Sequence, residues 1–218
     1  MLYRNLKSFY GLFFLIAGAI VSCKQQANKV ADENKTILIT TPANDSTFLS
    51  IDKSPMDMTY FPEDYPKEKM ISSDTDSPAA RVIYSRPQKN GRVIFADSLI
   101  TKNYIQHYGQ EWRLGANEAT EIEFFKPVTI NGKKFSSGRY VIYCIPYPDK
   151  WKIIFNSNLF SWGLHMDKTK DLSEIELPVT KTHPETEFFT MIFQKASYGC
   201  NLVMAWGDIK VIMPVHFS

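Results

Sequence analysis

The 218-residue sequence predicts an all-β protein: a single antiparallel β-sandwich, jelly-roll-like, preceded by an irregular Pro-rich arm. Three observations carry this expectation. From residue 80 onward, short runs of alternating polar and apolar residues follow one another, separated by turn signals such as Asn131-Gly132. No helical stripe persists for three turns. Aromatic residues make up 14% of the chain, a share that suits a β-rich core.

The N-terminus has the pattern of an export signal over residues 1–22. Arg4 and Lys7 form a positive start, and the apolar run Phe9 to Val21 is thirteen residues long, too short to span a bilayer. It ends in Ile20-Val21-Ser22-Cys23, which resembles the lipobox of bacterial lipoproteins. The resemblance implies that Cys23 carries diacylglycerol on sulfur and an acylated amine, a multi-chain anchor of palmitate-like tails. An ordinary cleavable signal with a chance cysteine is the other reading. Loss of residues 1–22 removes two basic residues and no acidic ones, leaving 23 Lys+Arg against 23 Asp+Glu. A near-neutral mature chain gives no reason to expect a nucleic-acid partner. The residues after Cys23 are Lys24-Gln25-Gln26, without an acidic cluster, so the expected location is the bacterial cell envelope facing the periplasm.

Residues 23–35 are polar and read as a tether from the lipidated cysteine. Residues 36–76 form the arm, in which Thr36–Thr41 can make a short strand. Within Ser54–Pro66, the prolines Pro55, Pro62 and Pro66 forbid a regular helix or a central strand. Its Met and aromatic residues are too apolar for a free linker. They are expected to pack onto the domain; an exposed aromatic binding segment is the alternative.

Residues 77–218 are the sandwich. Ala80–Ser85 reads as a strand stopped by Arg86-Pro87, and Arg92–Phe95 is a short extended piece after the Asn90-Gly91 turn. Asp97–Gln110 is mixed and leaves room for a helical turn. Further strands are expected at Glu121–Phe125, Val128–Ile130, Lys133–Phe135, Arg139–Ile145, Trp151–Asn156, Ile175–Thr182, Glu187–Gln194, Asn201–Trp206 and Lys210–Val215. Alternation assigns Ile142, Ile153, Phe155, Leu202 and Trp206 to the core. Cys144 and Cys200 lie within predicted strands, which suits buried free thiols, although an envelope location would permit a bridge.

The densest run of unusual choices is Trp112-Arg113-Leu114-Gly115-Ala116-Asn117-Glu118-Ala119-Thr120. Gly115 and Asn117 tolerate positive φ, so the chain is expected to reverse there and bring the charges of Arg113 and Glu118 together. This run joins Tyr84-Ser85-Arg86-Pro87, Gly91-Arg92 with Ile94-Phe95, Gly138 with Tyr140, Ile145-Pro146, Trp151 with Asn156, and Trp162-Gly163. Together they resemble the bacterial "domain of unknown function 2911" family, from about Ser77 to Val215. The resemblance implies an exported, often lipid-anchored β domain and no particular reaction.

Catalytic patterns are absent from the sequence: there is no G-x-S-x-G and no catalytic-cysteine signature. His107, His165, His183 and His216 stand apart, without H-x-H or H-E-x-x-H spacing, so no metal site is expected, and no cofactor motif is present. Glu121 and Glu123 share a strand face as a solvated edge rather than an acid/base pair. What remains is Arg86, Arg92, Arg113, Asn117 and Glu118, with Trp112, Trp162 and His165 as walls. One reading is a corner brace with tryptophans in the core. The other is a concave polar site for a glycan, such as a peptidoglycan fragment, or a small anionic ligand, with Arg forks for carboxylates and indole faces for sugar rings. The expected role is thus a non-enzymatic structural or binding one. A binding module using the Trp/Arg/Asn/Glu cluster, or a hydrolase with Glu118 or His165 as base, are the alternatives.

Overall fold

The computed structural model describes residues 54–217, except 73, 75, 98 and 100. The signal, Cys23, the tether and Thr36–Thr41 lie outside the described residues. The chain is all-β and forms an antiparallel sandwich. Its elements are β1 (Met56–Phe61), helix α1 (Tyr65–Ile71), β2 (Ala80–Ser85), β3 (Val93–Ala96), β4 (Tyr104–His107), β5 (Thr120–Phe124), β6 (Val128–Ile130), β7 (Lys133–Phe135), β8 (Gly138–Pro146), β9 (Lys150–Asn156), β10 (Asp171–Ala196) and β11 (Gly199–Phe217).

One continuous sheet, in the order β1-β2-β5-β8-β9-β10-β11-β6-β7, folds over on itself. Strand β10 is 26 residues long and serves both layers. Its first part, Asp171 to Pro178, pairs with β9, and its later part, Val179 to Ala196, pairs with β11. The layers meet through aromatic side chains: Phe135 of β7 lies 4.3 Å from Phe155 of β9, and Tyr84 of β2 meets Phe189 of β10 edge-on at 5.8 Å. Ile142, Ile153, Phe155, Leu202 and Trp206 are all fully buried, as their alternation requires. Cys144 and Cys200 are buried free thiols in this core.

Three sequence expectations change. The segment expected to be an irregular arm carries two regular elements: β1 pairs with β2 along its length, and Pro66 sits in the first turn of α1, where its missing N–H costs nothing. Pro55 and Pro62 still act as argued, since they bracket β1, an edge strand, whereas Pro66 does not prevent α1. Phe61 packs on Phe193 and stacks on Phe217 at 5.4 Å, so the arm does cover the core. Second, the mixed region before Trp112 holds no helical turn in residues 104–107; these form β4, parallel to β3. Third, four expected strands merge into two. Pro178 sits where β10 leaves β9, and Pro184 falls in the register shift between Lys181 and Thr186. Neither proline therefore interrupts a ladder. Gly207, opposite Thr186, has φ +58, and a Cβ there would lie 2.5 Å from Ile94 Cδ1. This bulge lets β11 keep Trp206 and Ile209 on the same buried side.

Candidate functional site: a clamped loop at one end of the sandwich

Trp112 anchors the site from inside. Its backbone exchanges two hydrogen bonds with Cys144 of β8, at 2.7 and 2.8 Å. Its indole stacks on Trp206 at 5.7 Å and meets Trp151 edge-on at 5.5 Å. The sequence placed Trp112 as a wall or as core; it is core, 5% exposed. From there the chain closes a loop upon itself. Trp112 Nε1 donates to Gly115 O (3.1 Å), Thr120 Oγ1 donates to Leu114 O (2.7 Å), and Thr120 N donates to Arg113 O (3.2 Å).

The turn uses one of the two residues expected, Asn117, but not Gly115. Positive φ falls on Leu114 (+53) and Asn117 (+59). A leucine held there is strained, and complete burial of its side chain offsets the cost. Gly115 serves a different need: a Cβ at this position would sit 2.9 Å from Ser85 O, so only glycine lets the loop lie against β2.

Arg113 and Glu118 form no ion pair, which corrects the expectation that their charges meet. With the reversal centred on Leu114, Arg113 turns toward residues 157–170 and its Nη1 donates to Trp162 O (3.2 Å), while Glu118 is exposed. Asn117 Nδ2 donates to Ser54 O (3.1 Å), tying the loop to the residues just before β1. Arg86 faces elsewhere: it donates to Phe189 O and Thr190 Oγ1 and lies 3.4 Å from Asp57 Oδ2. Arg92 closes its own turn by donating to Lys89 O (3.1 Å) and Gln88 O (2.8 Å). His165 is exposed and Trp162 is 57% exposed. Glu121 and Glu123 are each tied to an arginine, Arg139 and Arg81 respectively.

The partner of this loop is the connection 157–170, whose importance sequence reasoning missed apart from Trp162 and His165. It is strapped at both ends. Asn156, 1% exposed, accepts from Asn158 N and donates to Asp167 O and to Asp171 Oδ1 at 2.7–2.8 Å. Tyr143 OH donates to the same Asp171 carboxylate (2.9 Å); burial comes first and the carboxylate second in pushing this phenol's pKa well up. Lys168 meets Glu111 at 2.7 Å.

Between the straps the tip is pinned to the clamp. Phe160 N donates to Glu121 Oε1 (3.1 Å) and Ala119 N donates to Ser161 O (3.0 Å). Gly163, at φ +78, packs so closely that a Cβ would lie 2.8 Å from Arg113 Cβ. The only advance signal for this contact was the glycine following Trp162. Held this way, Phe160 (83%), Trp162 (57%) and Leu164 (63%) project into solvent.

Beside the tip is an open hollow of about 510 Å³, lined in part by Arg92, Gln106, Glu111, Trp112, Arg113 and Leu164. It gathers three of the residues singled out from sequence: Arg92, Trp112 and Arg113. Much of its polar lining is already engaged. Gln106 Nε2 donates to Glu111 O (3.2 Å), Glu111 holds Lys168, and Arg92 holds its turn. Among the described residues, no three of His, Cys, Asp or Glu converge as a metal-binding group. A larger groove of about 670 Å³, lined by Leu177, Pro178, Ile212 and Pro214 among others, contains none of the residues singled out.

No curated protein and no solved structure matches the chain. The clamp, the strapped connection and most of the sandwich fall within residues 66–215, which match the model of a family described as "Protein of unknown function (DUF2911)", and the chain belongs to that family.

Proposed function

We propose that this is a lipid-anchored protein of the bacterial cell envelope, facing the periplasm, which acts by binding rather than by catalysis. The binding end is where loop 112–120 meets connection 157–166. One observation carries the reading: the polar groups around the hollow are spent on loop closure, while Phe160, Trp162 and Leu164 are held in solvent. Polar groups committed to backbone carbonyls are poorly placed to transfer protons. Exposed large apolar side chains on a fixed backbone are suited to contact, because little ordering entropy remains to be lost.

The anchor rests on Ile20-Val21-Ser22-Cys23. Its test is expression of the full chain and of Cys23→Ser, with detergent phase partition and mass spectrometry of the mature N-terminus. The expected result is a triacylated Cys23 in the detergent phase, and an unprocessed or water-soluble Cys23→Ser. A wild-type N-terminus free of lipid overturns the anchor.

A glycan or small anionic ligand in the hollow is a second reading. It is favoured by the hollow's size beside the exposed Trp162 indole. Titration calorimetry against peptidoglycan fragments and organic acids, with wild type and Arg113→Met, tests it. Saturable binding lost in Arg113→Met supports this reading. Turnover of any panel member would instead establish a hydrolase and overturn the non-enzymatic role.

A further inference from the structure

We infer that the Phe160–Leu164 tip docks into the surface of the lipid bilayer that holds the protein's own anchor. The inference rests on the lipid-anchor reading above. It identifies the partner of the exposed tip as lipid, on four observations.

The first is chemical. Within five residues, Phe160, Trp162 and Leu164 present one phenyl ring, one indole and one branched aliphatic, all more than half exposed. Tryptophan concentrates at membrane–water interfaces, where its apolar body and N–H are both accommodated.

The second concerns the backbone. Inserting a loop among lipid headgroups is costly when its N–H and C=O groups lose water without replacement. Here Phe160 N is bonded to Glu121, Ser161 O to Ala119 N, Trp162 O to Arg113, and Gly163 N to Ser161 Oγ. Four main-chain groups of the tip are thus satisfied from within.

The third is position. Ser54, where the described chain begins, is held by Asn117 and lines the same hollow as Gly163 and Leu164. Ser54 thus lies at the end that carries the tip. From Cys23 to Ser54 is 31 residue steps (54 − 23), at most about 105 Å of extended chain. Whatever path those residues take, that upper bound on reach keeps the tip near a bilayer that holds Cys23.

The fourth is charge. Three cations near the tip are paired with carboxylates, Arg139 with Glu121, Lys168 with Glu111 and Lys170 with Asp167, and Arg113 is turned onto Trp162 O. Docking is therefore apolar. It needs no anionic lipid and changes little with salt, unlike a basic patch.

The chain provides its own reporter. Of its four tryptophans, Trp112, Trp151 and Trp206 are buried, so a quencher outside the protein acts mainly on Trp162. The test uses the full mature lipoprotein in vesicles of phosphatidylethanolamine and phosphatidylglycerol (3:1), with bromine on the acyl chains. Docking is expected to quench a component of the emission that is absent from Trp162→Phe, and to cut acrylamide quenching at least threefold relative to Cys23→Ser in buffer. Phe160→Asn with Leu164→Ser should abolish both effects; Asn suits the positive φ at 160, so folding is preserved. Replacing phosphatidylglycerol by phosphatidylcholine, or raising salt to 0.5 M, should change the quenching by less than a factor of two.

Protein that floats with the vesicles but shows no bromine quenching overturns docking and leaves the anchor intact. Mature protein without lipid on Cys23 overturns the anchor and docking together. Protection of Trp162 that grows with protein density, accompanied by dimers in sedimentation, assigns the tip to a second copy and overturns the lipid surface. Quenching that requires phosphatidylglycerol overturns the apolar mode.

Discussion

The two loops that meet at this end of the sandwich, 112–120 and 157–166, treat their apolar residues in opposite ways. Loop 112–120 sends Trp112 and Leu114 into the core and closes its own base through Trp112 Nε1 and Thr120 Oγ1. The second loop sends Phe160, Trp162 and Leu164 outward and is held by groups that belong to other elements. Each loop has a positive-φ residue with a large side chain, Leu114 at +53 and Phe160 at +60. Burial offsets the strain at Leu114. At Phe160 the neighbours must, through the hydrogen bond to Glu121 and the Arg139 guanidinium 5.7 Å from its ring. Exposure of the second loop is thus built into the fold and does not signal looseness.

That contrast is breakable in order of cost. Trp112→Ala should be the most damaging change, about 3–5 kcal/mol by urea melt, because it removes the indole that joins both layers. Gly163→Ala comes next. It puts a Cβ 2.8 Å from Arg113 Cβ at a φ of +78, so a loss of about 2–4 kcal/mol is expected, with Trp162 becoming more quenchable as the loops part.

A third measurement separates buried from exposed sides by pH. Burial pushes the Tyr84 phenol up to about 12 from an ordinary 10.0, against the lowering effect of its hydrogen bond with Met191. The neutral phenol is the form the fold favours. Its stabilising contribution is therefore complete below pH 10 and falls as pH rises toward 12. Tyr84→Phe should flatten the alkaline limb of a melt series, whereas Trp162→Phe should leave it unchanged. The smallest effect belongs to the tip: Trp162→Ser should alter stability by no more than about 0.5 kcal/mol. A loss near that of Trp112→Ala would mean that the indole is packed, and the contrast between the loops would fail.

The alternation of Ile153/Phe155 and of Leu202/Met204/Trp206 was legible because period two is a local property of the chain. The hairpin at Asn131-Gly132 was legible for the same reason, with φ of 49 and 76 at its two central residues. What escaped was partner choice. Pro178 and Pro184 look like breaks in a one-dimensional reading, yet they sit where β10 changes neighbour or bulges. The Arg113–Glu118 pairing failed because sequence gives the residues able to take positive φ, and tertiary packing chose Leu114 instead of Gly115. The Ser54–Asn117 and Arg113–Trp162 contacts join residues 63 and 49 positions apart, and no local pattern announces them.

Strand β10 has a bearing on how this protein comes into being. A chain made from its N-terminus has β1 to β9 available before β10 and β11 exist. Until Asp171 and the residues after it appear, β9 lacks its second neighbour and β6 has no β11 to join. Neither layer can close alone, so assembly waits for the last two strands and then involves both layers together. A polypeptide with that timetable stays open for most of its synthesis and closes both layers late, in a single step.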